Sequence, residues 1–412
     1  MSILFDKANL GSMELSNRMI RTASHEGLAD NRGRPTDEQF NFYKGFIEGG
    51  IGLVITGYAG ISQQGKSALY HMTMIDSDEL IPSHRKLVDR IHDIGGKIVL
   101  QICHCGRQTW SSETGKPLLA PSQIPCGFYC EMPREITESQ ILKVIDDFSR
   151  AAARARESGY DGVQIHGAHG YLLSTFLSRH ANKRIDRWGG SRENRFRIVA
   201  ETLRAVRKAV GKDYPVLIKL NTYERAALGT KPEDCVEFAG MVQGTECCDA
   251  IELSCGTNEG GFIMARGKFP TDALLKYMRP YCNYNSAIKF LLKYFVIPFI
   301  KLVQPPFREG YNLETAAKIK QAVSLPIITV GGMRSSKFLN DAIEKNMTDF
   351  VSMARPLILE PNLPNKFRSG TSDTALCDNC NQCVVAVDTG PIRCHNLNLI
   401  DRVRSKSVTA MR

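Results

Sequence analysis

The sequence predicts an α/β fold of the (β/α)8 TIM-barrel class with a short cysteine-containing C-terminal extension. Three observations carry that expectation. A short run rich in Val, Ile and Leu recurs eight times along the chain, and an amphipathic segment of helical spacing follows most of the runs. The runs are almost continuously apolar, which suits strands buried on both faces of a parallel sheet. At 412 residues the chain is long for one domain but within the range of a barrel with insertions.

In order, the predicted strands are MIRTAS (19–24), IGLVITG (51–57), KIVLQIC (97–103), GVQIH (162–166), PVLIKLN (215–221), AIELS (250–254), PIITVGG (326–332) and FVSMARP (350–356). Helices are expected over 37–48, 78–94, 138–157, 192–210, 232–242, 313–323 and 336–345. Thr137 and Ser191 stand at two of their starts as capping residues. An open doubly wound sheet is the competing topology. It is disfavoured because no Gly-x-Gly-x-x-Gly follows the first strand and because eight strands match closure. The expected organisation is a barrel over 1–370, interrupted at 280–310 between strands 6 and 7, and an extension over 371–412.

Composition narrows the function classes. Hydrophobic residues make up 43%, enough for a large core. The net charge is +10, but basic residues alternate with acidic ones and no Lys/Arg run of five occurs, which argues against a nucleic-acid partner. The N-terminus shows no charged and apolar leader pattern. The longest apolar stretch, 290–303, contains Lys293 and Lys301 and is too short to cross a bilayer. A cytoplasmic location is expected, so the thirteen cysteines are read as thiols or metal ligands rather than disulfides.

A barrel carries its chemistry at the C-terminal strand ends. Those ends offer Thr22, Ala23, Ser24 and His25; Thr56 and Gly57; Gln101 and His104; His166, His169 and Tyr171; Lys219 and Asn221; Gly331 and Gly332; and Ala354 and Arg355. Buried strand ends seldom collect so many polar groups without a ligand to satisfy them. Gly331-Gly332 and Ala354-Arg355 fit a phosphate site: glycines admit the anion to backbone N–H groups and Arg adds a forked charge. His166-Gly-Ala-His169-Gly-Tyr171 is the sharpest cluster. Its histidines could ligate a metal or hold an anionic oxygen, and its tyrosine could act as a general acid. Few carboxylates stand at the strand ends to complete a metal site.

Three stretches, LQICHCGRQ (100–108), HGAHGYLLSTFLS (166–178) and NKRIDRWGGSRENRFR (182–197), together resemble the old yellow enzyme family of FMN-dependent ene-reductases. The branch resembled is that of 2,4-dienoyl-CoA reductase and trimethylamine dehydrogenase. The likeness runs from SNRMIRTASHEGL to DFVSMARPLILEP and covers nearly all the barrel. It implies FMN, with NAD(P)H as reductant. Thr22, Ala23 and Ser24 are then expected along the flavin edge, Gly57 and Gln101 against the isoalloxazine, and Gly331, Gly332, Ala354 and Arg355 at the phosphate. Lys219 falls where many members place an arginine near flavin N1, and it lacks the planar fork. By the same resemblance His166 and His169 hold a substrate carbonyl. Tyr171 then gives a proton to the α carbon after flavin N5 delivers hydride to the β carbon. The 182–197 motif is expected to be structural.

Cys377-x2-Cys380-x2-Cys383-x10-Cys394 suits a [4Fe–4S] cluster, a tetrathiolate zinc, or plain thiols. Cluster-bearing relatives continue into FAD- and NAD(P)-binding domains. No dinucleotide fingerprint follows the cysteines here, so either NAD(P)H reduces FMN directly or an external redox partner docks. The expected activity is reduction of an α,β-unsaturated carbonyl or enoyl thioester, in a chain that could form a homo-oligomer. The alternatives are an amine dehydrogenase of the trimethylamine type and a non-catalytic flavin or iron–sulfur redox protein. The apolar insertion over 281–307 reads as a substrate lid, an oligomer contact or a membrane-surface helix.

Overall fold

In the computed structural model, which describes residues 2–409, eight parallel strands close on themselves. They are β1 (Met19–Arg21), β2 (Leu53–Ile55), β3 (Ile98–Cys103), β4 (Gly162–Gly167), β5 (Val216–Asn221), β6 (Ala250–Ser254), β7 (Ile327–Val330) and β8 (Phe350–Met353). Closure is made by β8 and β1, where Val351 pairs with Met19 and Met353 with Arg21. The (β/α)8 barrel is thus the observed architecture. The extension's last residues, 410–412, lie outside the described range.

Around the barrel run α1 (Asp37–Glu48), α2 (Ile81–Asp93), α3 (Glu138–Glu157), α4 (Arg192–Val210), α5 (Pro232–Gln243), α6 (Leu313–Ala322), α7 (Ser336–Glu344) and α8 (Leu363–Ser369). Their starts follow from local chemistry. Thr137 accepts from the N–H of Gln140 while the Gln140 side chain accepts from the N–H of Thr137, a reciprocal capping box. Ser191 accepts from the N–H of Asn194 at 3.2 Å. Their inner stripes, such as Ile141, Val144, Phe148 and Ala152 of α3, pack on the outward residues of the strands.

Several strands are shorter than expected, for physical reasons. β7 stops at Val330 because Gly331 and Gly332 take φ of 137° and 74°, outside strand geometry. β8 stops at Met353 because Arg355 opens a short helix with Pro356 in its first turn. The predicted helix over 78–94 divides into a 3-10 turn, Asp78–Leu80, and α2.

Two further pieces bear on the site. An N-terminal hairpin, Ala8–Leu10 against Met13–Leu15, turns at Gly11 and packs Leu10, Met13 and Leu15 on Ile20, Leu53, Val99, Leu217 and Phe350. It closes the bottom of the barrel with apolar side chains. The 182–197 motif braces the loop after β4: Arg184 donates to the carbonyls of Pro121 and Ile136, and Asn182 to those of Phe176 and Trp188. Among the described residues no helix is long and apolar enough to cross a membrane.

Candidate active site

Successive inward positions of a strand are two residues apart, so one alternating series stacks in layers up the barrel. The lower layer is apolar (Ile20, Val99, Leu217, Ala250, Ile328, Phe350). Two residues further along the same strands the layer is polar: Thr22, Gln101, Lys219, Glu252 and Ser352, joined by Gln164 of β4. Glu252 is its hub. The carboxylate accepts from Thr22 Oγ1 at 2.5 Å, Gln164 Nε2 at 2.8 Å and Ser352 Oγ at 2.8 Å, and pairs with Lys219 Nζ at 3.1 Å. Gln101 Nε2 donates to Gln164 Oε1 at 2.6 Å and extends the network.

Burial alone would push Glu252 toward its protonated form. Lys219 and the three donors outweigh burial and hold the carboxyl below its ordinary range. Burial draws the Lys219 ammonium down, against the attraction of Glu252. Lys219 Nζ also donates to Thr22 Oγ1 at 3.0 Å. An ammonium has three N–H donors, so one remains to face the cavity that Lys219 lines.

Above this layer stand the two histidines and Tyr171. His169 sits in the left-handed region at φ 61°, where non-glycine residues are strained. Its N–H donates to Asn221 Oδ1 at 3.1 Å, which holds the turn. That turn swings His169 back over His166, with ring centroids 5.0 Å apart and nearly perpendicular. The Tyr171 ring lies 4.8 Å from His166 and 5.2 Å from Tyr58. Burial pulls His166 well below the ordinary histidine value and His169 down to about 3, with Lys219 adding to both. Both rings are therefore neutral. His166 Nδ1 accepts from the N–H of Ala168 at 3.3 Å, which puts the ring proton on Nε2. His169 Nε2 pairs with Ser254 Oγ at 2.7 Å. Burial raises the Tyr171 phenol well above its usual value, so it too is neutral and carries a proton.

These groups open into one cavity of about 740 Å³. Thr22, Ala23, Ser24, Gln101, His166, His169, Tyr171, Lys219, Ala354 and Arg355 all line it. Gly57, Gly331 and Gly332 do not. The Gly57 N–H donates to Glu26 at 2.5 Å, and a Cβ there would strike the Glu26 carboxylate. Gly331 and Gly332 pack on the segment from Arg308 to Asn312 instead. Arg355 lines the cavity while its Nη1 donates to the carbonyls of Ala265 and Arg266 and to the Asn381 side chain. The cysteine segment is thereby tied to the barrel mouth, and Cys383 and Val384 form part of the cavity wall.

Sequence reasoning passed over Glu252, Gln164, Ser254 and Tyr58. Glu252 and Gln164 left a signal: each is a polar residue flanked on both sides by apolar ones, at an inward register.

The wall fits FMN on its own chemistry. Ser24 Oγ is buried with no hydrogen-bond partner and faces the cavity, as do the spare N–H of Lys219 and the amide of Gln101. A flat heterocycle with polar edges satisfies such donors, and a cation beneath it favours negative charge. The four C-terminal cysteines lie within electrostatic reach of one another. Burial pushes Cys383 up to about 12, with Cys377, Cys380 and Cys394 adding to it. Among the described residues no three His, Cys, Asp or Glu side chains converge as a lone metal ion requires.

Comparison with known proteins agrees with this geometry. The sequence profile of the NADH:flavin oxidoreductase / NADH oxidase family matches residues 3–254 and 294–374. A metal reductase of Desulforamulus reducens is 36% identical over 386 residues, covering 93% of this chain and 51% of that protein. A 4,4'-dithiodibutanoate disulfide reductase of Rhodococcus erythropolis is 30% identical, covering 94% of this chain and 93% of its own length. Among solved structures, a 2-naphthoyl-CoA reductase complex superposes with a TM-score of 0.79 at 25% identity, over 94% of this chain and 56% of that one. The chain spans about half the length of the first and third of these relatives.

Proposed function

The chain belongs to the NADH:flavin oxidoreductase / NADH oxidase family, and from that premise we propose that it reduces the C=C bond of an α,β-unsaturated carbonyl or enoyl thioester. It is a flavin-dependent, NAD(P)H-using oxidoreductase by family. One observation carries the finer reading: two neutral histidines and a neutral phenol face the same cavity above a buried lysine. Neutral N–H donors suit a carbonyl oxygen that gains negative charge as the alkene is reduced. His166 Nε2 and His169 would hold that oxygen, and Tyr171 would deliver its proton to the α carbon. Lys219 would hold the flavin's N1 edge, Thr22, Ala23, Ser24 and Gln101 its ring, and Arg355 with Ala354 its phosphate. FMN, when bound, supplies hydride chemistry drawn from NAD(P)H.

The test is an anaerobic stopped-flow comparison of both half-reactions with 2-cyclohexenone as probe. Tyr171→Phe should slow alkene reduction at least tenfold and leave flavin reduction by NAD(P)H unchanged. Equal rates in the two proteins would remove Tyr171 as the acid.

We further propose that Cys377, Cys380, Cys383 and Cys394 hold a [4Fe–4S] cluster beside the flavin site. The supporting observation is that Cys383 and Arg355, which ties the cysteine segment down, both line the active-site cavity. A second reading, oxidation of a cationic amine, has an observation behind it as well. Tyr58, Phe128, Tyr129 and Phe262 line the same cavity and present aromatic faces. Turnover of trimethylamine without turnover of the enone would select it.

A further inference from the structure

The insertion between β6 and β7 has two apolar faces with different surroundings. Residues Ser286–Leu291 and Ile297–Leu302 are α-helical, joined by a π turn over Leu292–Val296. Leu292 and Ile297 point inward. They pack on Ala273, Leu274, Leu275 and Val385 and line the cavity. Of the three sequence readings of this segment, the substrate lid concerns this inner face, and the oligomer contact and the membrane-surface helix concern the outer one.

On the outer face Phe295, Phe299 and Leu302 are 61%, 69% and 81% exposed. Ile288, Phe290, Leu291 and Tyr294 continue the surface, so most of the exposed large hydrophobic side chains among the described residues sit on this one segment. A soluble surface rarely gathers such a patch without a use for it.

Charge says what covers it. From Tyr281 to Arg308 there is no acidic residue, while Lys289, Lys293, Lys301 and Arg308 are all basic. Lys289 is held by the Cys282 carbonyl, Lys293 by Asp272 and Arg308 by Glu314, which leaves Lys301 beside the most exposed hydrophobics. Among the described residues, Asp272 and Glu314 are the acidic side chains that pair with this segment. Long basic side chains among exposed Phe, Tyr and Leu are the composition of helices that lie in the plane of a bilayer surface. A second copy of the chain would bring the same basic residues against one another, whereas an anionic lipid surface complements them.

Position adds a reason. Val296, Ile300 and Val303 are partly exposed and also line the cavity, so the cavity rim and the outer apolar face are continuous. We propose that this helix docks the protein on an anionic membrane surface and opens the active-site cavity toward the acyl region, for a lipophilic substrate. The docking itself does not depend on which reaction the site performs. The substrate clause rests on the reading given above.

The experiment is co-sedimentation of the full-length, FMN-loaded protein with large unilamellar vesicles. Phosphatidylcholine alone is compared with phosphatidylcholine holding 30% phosphatidylglycerol. Binding to anionic vesicles at least tenfold tighter than to neutral ones, weakened by 0.5 M salt, is expected. The double variant F295E/F299E should lose that binding at least tenfold. Both side chains are exposed, so the variant should keep its flavin absorbance and melting temperature, which checks folding. Single Phe299→Ser serves if the double variant folds poorly. Wild-type binding no tighter than that of the folded variant would overturn the proposal. So would sedimentation velocity showing that the wild type is a dimer and the variant a monomer, since a second copy would then own the face. Loss of enone turnover with vesicle binding intact would count only against the reaction assigned to the site.

Discussion

Lys219 and Glu252 face each other across adjacent strands β5 and β6 in direct register, 3.1 Å apart and with almost no solvent contact. An ion pair so deep gains little net stability, because desolvating both charges cancels most of their attraction. Its use is to fix a cation under the cavity at a set height. Thr22, Gln164 and Ser352 hold the carboxylate in place, and the carboxylate holds the ammonium.

Breaking that pair should therefore cost more than removing it. Glu252→Gln leaves a buried ammonium without its counter-charge and is expected to lose about 3–5 kcal/mol of stability. Lys219→Met strands the carboxylate and should lose a similar amount. The double variant Lys219→Met/Glu252→Leu should recover most of the loss in urea unfolding, yet bind FMN more weakly and lower the flavin midpoint potential. Additive losses in the double variant would show that the two residues do not act as a pair.

His84 gives a prediction in pH. It is fully buried, donates from Nε2 to the Met74 carbonyl at 2.9 Å and accepts from the Tyr160 hydroxyl at 2.8 Å. Burial draws it down to about 4. The unfolded chain takes up a proton below about 6.5, and the folded chain does not until about 4. Its contribution is thus present above 6.5 and is lost as the pH falls toward 4. The slope is about 1.4 kcal/mol per pH unit for this one residue. His84→Gln should start less stable at pH 7.5 and lose stability with acid more gently by that slope. Parallel curves in urea titrations at pH 7.5, 6 and 5 would contradict it.

The proposed cluster makes a chemical prediction. Anaerobically prepared protein should contain iron and acid-labile sulfide at about 4:1 to FMN. Cys383→Ser should remove both and leave FMN content near the wild-type level. Cys235→Ala, buried in α5 and outside the extension, should change neither. Iron retained by Cys383→Ser at full stoichiometry would exclude Cys383 as a ligand.

How far the sequence carried differs from element to element. α1, α3 and α4 were legible to the residue, because a capping side chain starts each and an apolar stripe runs its length. β6 was legible because no glycine or proline blurs its ends. The hairpin at Ala8–Leu10 was missed although Gly11-Ser12 between alternating apolar residues is a turn signal. The His166, His169 and Tyr171 group was visible as a cluster, but the strained φ of His169 that brings the rings together is a tertiary effect. Glu252 was overlooked for a different reason. A lone carboxylate in AIELS means little until closure puts Lys219, Thr22, Gln164 and Ser352 around it. That the cysteine segment shares a wall with the active site was also invisible, since it depends on Arg355 reaching Asn381.

The two faces of the insertion should separate in one set of measurements. Ile297 is only 3% exposed and lines the cavity, so Ile297→Ala opens space beside the substrate without touching the outer patch. Losing its buried side chain costs about 2–5 kcal/mol of packing. The expected result is a rise of several-fold in KM for the enone, little change in kcat, and vesicle binding like the wild type. Removing residues 285–305 entirely should raise KM further, because the cavity then loses its roof and an apolar substrate meets water where it met Leu292 and Ile297. F295E/F299E should do the reverse, keeping KM for a water-soluble enone and losing the membrane. An unchanged KM in both Ile297→Ala and the truncation would show that the inner face does not cover substrate, whatever the outer face binds.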